Sequence, residues 1–280
     1  MTTIPPPDIA AALAWARQCI DHMDARVLLR HVLQCPASRL VAWPEQQLEA
    51  EDWAQYRELV ERREAGEPVA YLTGEREFYG RAFMITPAVL IPRPDTELLV
   101  ELALAHFAGV QRPRVLDMGT GSGALAITLA LEHDGADVTA LDRSREALWV
   151  AMGNAARLGA SVSFVQSDWF GGLGDERFQL IVSNPPYIAA ADPHLEQGDL
   201  RFEPRTALAA GPAGLDDLAE IVAGAPVHLE ANGWLFLEHG YDQASAVRGL
   251  LADGGFASIA SWKDLAGIER VSGGRWLGRA

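Results

Sequence analysis

From Arg114 to Leu237 the chain alternates short apolar runs with longer helical stretches, and few folds accept that order. Residues 115–116, 138–141, 162–165, 178–182 and 234–237 read as five strands, with helices over residues 124–132 and 146–158 between the first three. Such alternation predicts an α/β fold built on a mainly parallel sheet with helices on both faces. Ligands in such sheets bind beyond the carboxyl ends of the strands. The residues just after each strand are therefore where chemistry is expected.

The first strand runs into Asp117-Met118-Gly119-Thr120-Gly121-Ser122-Gly123, and a helix comes next. Glycines there permit positive φ and let backbone N–H groups approach a ligand. No Gly-Lys-Ser/Thr is present, so this is not a P-loop. Gly119, Gly121 and Ala124 do fit the loose G-x-G-x-x-A dinucleotide pattern. Asp142 ends the second strand, where an acid grips ribose hydroxyls in nicotinamide enzymes and methyltransferases alike. Asp117 separates the two: a carboxylate at the strand tip suits the positive ammonium and sulfonium of S-adenosylmethionine and repels a pyrophosphate. The competing reading of Asp117 is a helix cap or loop hydrogen bond. Asp168 and Trp169 come after the third strand, where an adenine ring would lie. Trp169 serves either the adenine or the core, and Asp168 either accepts from the adenine amine or caps its loop.

The fourth strand ends in Asn184-Pro185-Pro186-Tyr187. Two prolines stop a strand and stiffen the loop after it. Beyond a rigid turn, the tetrad suits a planar –NH₂ group, which offers two donors and a weakly nucleophilic lone pair. The Asn184 side-chain oxygen and the Pro185 carbonyl accept both hydrogens, and Tyr187 packs its ring on the planar group. Holding the nitrogen in line with a methyl–sulfur bond supplies much of the catalysis, and acceptors at the developing positive charge add to it. Asn184, Pro185 and Tyr187 are thus the expected catalytic residues, Pro186 joins them in holding substrate, and Asn184 is also expected to touch the cofactor.

The remainder sets this core in context. Up to about Gly66 the chain reads as helices, with Asp8 capping one that runs through Leu13 and Ile20. Asp24 caps a second with Val27, Leu28, Val32 and Leu33 on one face. A third spans residues 51–64, with Trp53, Tyr56, Leu59 and Val60 on one face. Phe78-Tyr79, Phe83-Met84-Ile85 and Val89-Leu90-Ile91 suggest a β-hairpin, after which Asp95 or Thr96 caps a helix. The expected division is a helical recognition domain over residues 1–74, a hairpin linker over 75–92 and a catalytic domain over 93–280. The formal charge of −15 argues against nucleic acid as a direct partner, because such affinity rests on basic side chains. Cys19 and Cys35 form no disulfide framework or zinc ligand set, and they read as buried free thiols in a reducing cytosol. With no basic-then-apolar leader and no apolar stretch of spanning length, a cytoplasmic protein without membrane contact is expected. Arg201, Glu203 and Arg205 either shape a substrate entrance or form a solvated ion-pair cluster. Glu238-His239 ends the fifth strand, and since adjacent strand residues face opposite sides, both are expected to be structural.

Taken together, GEREFYG (74–80), IPRPDTELLV (91–100), DMGTGSGALAI (117–127), QSDWF (166–170), VSNPPYI (182–188), DPHLEQGDLRFEP (192–204) and LEHG (237–240) resemble the PrmC/HemK family of release factor glutamine methyltransferases. The resemblance runs from about Asp24 to the C-terminus. It implies a Rossmann-like class I methyltransferase sheet behind an N-terminal helical bundle and a β-hairpin linker. It implies methyl transfer from S-adenosylmethionine to the side-chain amide nitrogen of the glutamine in the Gly-Gly-Gln loop of class 1 release factors. Residues 119–123 (Gly119, Thr120, Gly121, Ser122 and Gly123) and Asp142 would bind the cofactor, with Trp169 bordering the adenine and residues 184–187 holding the substrate amide. Met118 stands where the family more often has leucine, a swap of similar volume. Rival readings are a methyltransferase for the exocyclic amine of a flipped base in DNA or RNA, a nicotinamide oxidoreductase, and a binding module without turnover.

Overall fold

The computed structural model describes residues 6–278, in two compact units, Met1–Glu75 and Arg76–Ala280. The first unit is helical: α1 (Ile9–Ala16), α2 (His22–Leu33), α3 (Ala37–Ala42), α4 (Ala50–Glu64) and α5 (Val69–Thr73). The Asp8 side chain caps α1 by accepting from the Ala11 N–H at 2.8 Å. That helix stops at Ala16 rather than reaching Ile20. The expected cap of α2 moves by three residues. Asp21 accepts from the Met23 N–H at 2.7 Å, while Asp24 lies inside the first turn and pairs with Arg63 of α4 at 2.7 Å. The face that α2 buries is accordingly Ala25, Leu28, Leu29 and Val32. These residues meet Tyr56, Leu59 and Val60 of α4 in one apolar cluster, and the buried Tyr56 hydroxyl donates to the Ala25 carbonyl at 2.9 Å. Cys19 and Cys35 are half-buried at the margin of this cluster, not fully buried.

A hairpin follows, β1 (Glu75–Phe78) and β2 (Arg81–Met84), which begins at the last residue of the first unit. The apolar run Val89-Leu90-Ile91 forms no strand; Val89 and Ile91 are buried in loop backbone. Asn154, on α8 (Arg145–Leu158), pins the hairpin. Its side chain accepts from the Met84 N–H at 2.7 Å and donates to the Met84 and Ser122 carbonyls at 3.0 and 2.9 Å. Next come α6 (Glu97–His106), β3 (Arg114–Met118), α7 (Ala124–Glu132), β4 (Asp137–Asp142), α8, β5 (Ser163–Gln166) and β6 (Phe178–Ser183). The chain continues with α9 (Asp216–His228), β7 (Leu229–Glu238), α10 (Ala244–Asp253), β8 (Ala257–Lys263) and β9 (Glu269–Arg275).

The sheet has seven strands in the order β5-β4-β3-β6-β7-β9-β8. Strands β3 to β7 pair in parallel, and β9 and β8 close one edge antiparallel. The inner parallel strands β3, β4 and β6 are almost wholly buried, which is why they read as mainly apolar, whereas β5 at the edge is partly exposed. The chain enters at β3, builds outward to β5, and then crosses back to lay β6 on the other side of β3. That reversal opens a crevice between the carboxyl ends of β3 and β6, where α/β sheets bind ligands. Among the described residues, no helix is long and apolar enough to cross a membrane.

Candidate functional site

At the end of β3 the loop is held open by backbone hydrogen bonds: the N–H groups of Gly119 and Thr120 both donate to the Leu141 carbonyl of β4 at 2.9 Å. Gly119 and Gly123 have φ of +72° and +81°, a region costly for residues with a Cβ. A Cβ on Gly123 would also meet Ile127 Cδ1 at 2.7 Å and Ala151 Cβ at 3.1 Å. Gly123 thus lets α7 start tightly against α8. It lines none of the three cavities of the site, although the sequence placed it among cofactor contacts.

Two carboxylates organise this loop. Asp117 is fully buried, and its Oδ2 accepts from the Thr120 hydroxyl at 2.6 Å and the Ala126 N–H at 3.2 Å. The loop hydrogen bonds that competed with a cofactor role are therefore present. Burial pushes the Asp117 carboxyl up to about 7, against the pull of those bonds. Asp142 bridges two loops: its Oδ2 accepts from the Gly121 N–H and its Oδ1 from the Ser144 N–H, both at 2.9 Å. Burial raises its pKa as well.

Beyond β5, Trp169 holds φ +41°, a left-handed conformation rare for a bulky side chain. Ser167 supports that backbone, donating its hydroxyl to the Trp169 carbonyl at 2.5 Å and accepting from the Gly172 N–H at 2.7 Å. The indole N–H donates to Asp217 at the start of α9, at 3.2 Å. Trp169 is buried in the core cluster, and its indole also borders the large cavity beside Gly119. Asp168 is exposed at the rim.

On the β6 side, the Ser183 hydroxyl donates to the Met118 carbonyl at 2.7 Å and ties the two strand ends together. Asn184 then donates its side-chain N–H to the Thr96 hydroxyl at 3.0 Å. Thr96, expected as a helix cap, makes no capping bond with its side chain. Pro185 is buried. The Tyr187 hydroxyl donates to Glu238 at 3.3 Å, and Gln243 donates to the Tyr187 carbonyl at 2.9 Å. Glu238 is buried at the end of β7, and burial pushes its carboxyl up to about 7.

Three cavities meet at Asn184. The largest, about 300 Å³, is lined by Gly119, Gly121, Asp142, Asp168, Trp169, Asn184 and Pro186, among others, and lies at the lower end of the range for small-molecule pockets. A second, about 50 Å³, exposes Asp117, Thr120, Ser122 and Thr96. A third, about 60 Å³, lies between Arg93, Pro185 and Tyr187. The loop residues Pro87, Ala88, Val89 and Leu90 wall the large cavity, a role that their apolar run concealed as a strand. Glu203 is not part of a solvated cluster. Its side chain is inaccessible, pairs with Arg93, and accepts from the Ile91 N–H at 3.0 Å. Arg205 and Glu196 do form an exposed pair, of the kind that contributes little.

Residues 10–74 match the PrmC N-terminal domain, and residues 94–198 match the methyltransferase small domain. A release factor glutamine methyltransferase from Burkholderia pseudomallei is 52% identical, over 99% of each chain. This chain belongs to the release factor glutamine methyltransferase family. A second family member, from Bordetella pertussis, is 53% identical over 91% of this chain and 95% of its own. A methyltransferase structure from Pyrococcus furiosus shares the fold, with a TM-score of 0.53 at 18% identity over 81% of this chain and 100% of that one.

Enzymes of this family take the methyl group from S-adenosylmethionine. The crevice of this family member can hold that molecule. A buried carboxyl held near neutrality, Asp117, faces a small side cavity and gains from a cation. Asp142 keeps lone pairs for hydroxyls, and an indole wall suits a planar ring. Asp217 carries no signal in the sequence, because the pair Asp216-Asp217 at a helix start reads as ordinary first-turn acids. Its contact with Trp169 joins residues 48 positions apart.

Proposed function

We propose that this protein transfers a methyl group from S-adenosylmethionine to the side-chain amide nitrogen (N5) of the glutamine in the Gly-Gly-Gln motif of class 1 peptide chain release factors. The observation that carries the reading is Asn184, which borders all three cavities: its side-chain nitrogen is anchored by donating one of its two hydrogens to Thr96, and among the described residues its side-chain oxygen accepts no hydrogen bond and is available to a substrate donor. Together with the Pro185 carbonyl, that oxygen accepts both hydrogens of a planar amide and turns its nitrogen toward the cofactor cavity. S-adenosylmethionine supplies an electrophilic methyl group on its sulfonium. Gly119, Thr120, Gly121, Ser122 and Gly123 shape the loop around it, Asp142 takes the ribose hydroxyls, Asp168 and Trp169 flank the adenine, and Asp117 faces the ammonium. Pro186 separates the cofactor side from the substrate side, and the Tyr187 ring walls the cavity beside Pro185.

The helical residues 1–74 form a recognition surface for the release factor, residues 75–92 link them to the catalytic domain of residues 93–280, and the chain works in the cytoplasm. A protein partner suits the net charge of −15; a phosphate backbone does not. Fragment mass spectrometry of a treated release factor tests the reading. One added methyl on the side-chain amide of that glutamine supports it; a methyl on another residue, or none, contradicts it.

The Asp117 assignment predicts a pH dependence. Only the ionised carboxyl attracts the ammonium, and in the free enzyme its pKa is raised by burial to about 7. Affinity for S-adenosylmethionine is therefore full above that pH and weakens as pH falls, by up to about tenfold per unit. Calorimetry across this range checks it, and a flat profile removes Asp117 from the cation's surroundings.

A further inference from the structure

The side-chain amide of Asn184 is useful only one way round. With its oxygen toward the cavities it accepts from a substrate –NH₂ group; turned over, it presents N–H donors to N–H donors. Thr96 alone does not decide between the two, because a hydroxyl can accept from an amide N–H or donate to an amide oxygen. Something must fix where the Thr96 hydrogen points.

Glu238 stands where it can do so. It is 1% exposed, at the carboxyl end of β7. Its Oε1 accepts from the Tyr187 hydroxyl at 3.3 Å, and its Oε2 is buried without a hydrogen-bond partner. A buried acceptor left unmatched is costly. The Thr96 hydroxyl is close enough to favour the ionised form of Glu238. Thr96 already receives the Asn184 N–H at 3.0 Å, so its one hydrogen is free to turn to the carboxylate. Asp95 beside Thr96 acts against ionisation of Glu238, and Arg270 acts for it. Arg270 is itself held by Asp95 and Asp264 at 3.3 and 3.2 Å. The neighbouring His239 faces away, donating to or accepting from Ser272 at 2.8 Å.

We propose that Glu238 is a positioning residue for methyl transfer: by taking the hydrogen of Thr96 it makes Thr96 an acceptor only, and so holds the Asn184 oxygen toward the substrate amide. This rests on the function proposed above and adds to it the device that sets the orientation. The same carboxylate anchors the Tyr187 ring through its other oxygen, so one buried group orders both ends of the tetrad. No covalent or proton-transfer step is assigned to Glu238, which lines none of the three cavities.

The test compares wild type with Glu238→Gln, Thr96→Val, Thr96→Ser and the double variant Glu238→Gln/Thr96→Val, in the full chain above about pH 8, where Glu238 is ionised. A glutamine keeps an acceptor for Tyr187 but can turn an N–H toward Thr96, so that Thr96 donates to Asn184 and favours the unproductive orientation. Glu238→Gln is expected to lower kcat roughly 10–100-fold, with the Kd for S-adenosylmethionine within about threefold of wild type. Thr96→Ser keeps the hydroxyl and retains kcat within about threefold, whereas Thr96→Val loses it. With Thr96 gone the carboxylate has nothing to polarise, so the double variant matches Thr96→Val rather than multiplying the losses. Three results overturn the proposal: an unchanged kcat in Glu238→Gln, losses that multiply in the double variant, or cofactor affinity and thermal stability falling in step with kcat. Wild-type transfer to the release factor is the control. Its failure overturns the proposed function itself and is seen before any variant is compared.

Discussion

Replacing Asn184 by alanine lowers kcat for methyl transfer about 10²–10³-fold, while the Kd for S-adenosylmethionine stays within a few fold. The magnitude is that of removing one preorganised polar group aimed at developing charge. As the amide nitrogen attacks it becomes positive, and its hydrogens bind their acceptors more strongly than in the ground state. A bond that strengthens in this way contributes to kcat rather than to binding alone. The cofactor cavity, which Asn184 borders at one end, draws most of its shape from the loop after β3, from Asp142 and from Trp169. None of these is supported by the Asn184 side chain, whose hydrogen bond runs to Thr96. Single-turnover kinetics beside calorimetry separate the two effects. Equal losses in kcat and cofactor affinity would place Asn184 in the cofactor's own binding, not in the orientation of substrate.

Asp142→Ala has the opposite signature: the Kd for S-adenosylmethionine rises roughly 30–100-fold. Two ribose hydrogen bonds to a charged acceptor are lost, at about 1–2 kcal/mol each. The Gly121 and Ser144 N–H groups also lose the oxygens that hold them at 2.9 Å, so the glycine loop loosens where the cofactor would lie. Asp142→Asn keeps one oxygen acceptor and is expected to fall between alanine and wild type. At saturating cofactor, kcat recovers to within a few fold, because the tetrad is untouched. Affinity unchanged in Asp142→Ala would take the ribose away from this residue.

The parallel core was legible because β3, β4 and β6 are almost wholly buried, and their sequences are consequently mainly apolar, with polar residues chiefly at their ends. The antiparallel edge was not. Strands β8 and β9 carry Ser, Lys, Gly and Arg among their apolar residues, and no single period stands out. Helices α3 and α5 have six and five residues, too short for a helical period to register. The shift of the α2 cap from Asp24 to Asp21 has a tertiary cause: either aspartate suits a cap locally, and the Arg63 pair claims Asp24. Residues 89–91 looked like a strand because apolar residues that wall a cavity and apolar residues in a sheet share a composition.

Within the crevice, the residues just beyond β3, β4, β5 and β6 were visible because each ends a strand. The structure brings Gly119, Asp142, Trp169 and Asn184 around one cavity. The groups that orient them were hidden. Thr96, Asp217 and Glu238 act on Asn184, Trp169 and Tyr187 across 88, 48 and 51 positions, and a pairing at that separation leaves no local pattern. Glu203 looked like a surface charge until the fold enclosed it against Arg93 and Ile91.

The central claim is that the nitrogen placed at Asn184 belongs to a glutamine side chain of a protein. The most direct measurement incubates the enzyme with methyl-labelled S-adenosylmethionine and, separately, a class 1 release factor, the same factor with its Gly-Gly-Gln glutamine changed to alanine, and duplex DNA or structured RNA. Label on the first substrate alone is the predicted result. Label on the nucleic acid, or equal label on the factor and its alanine variant, would contradict it.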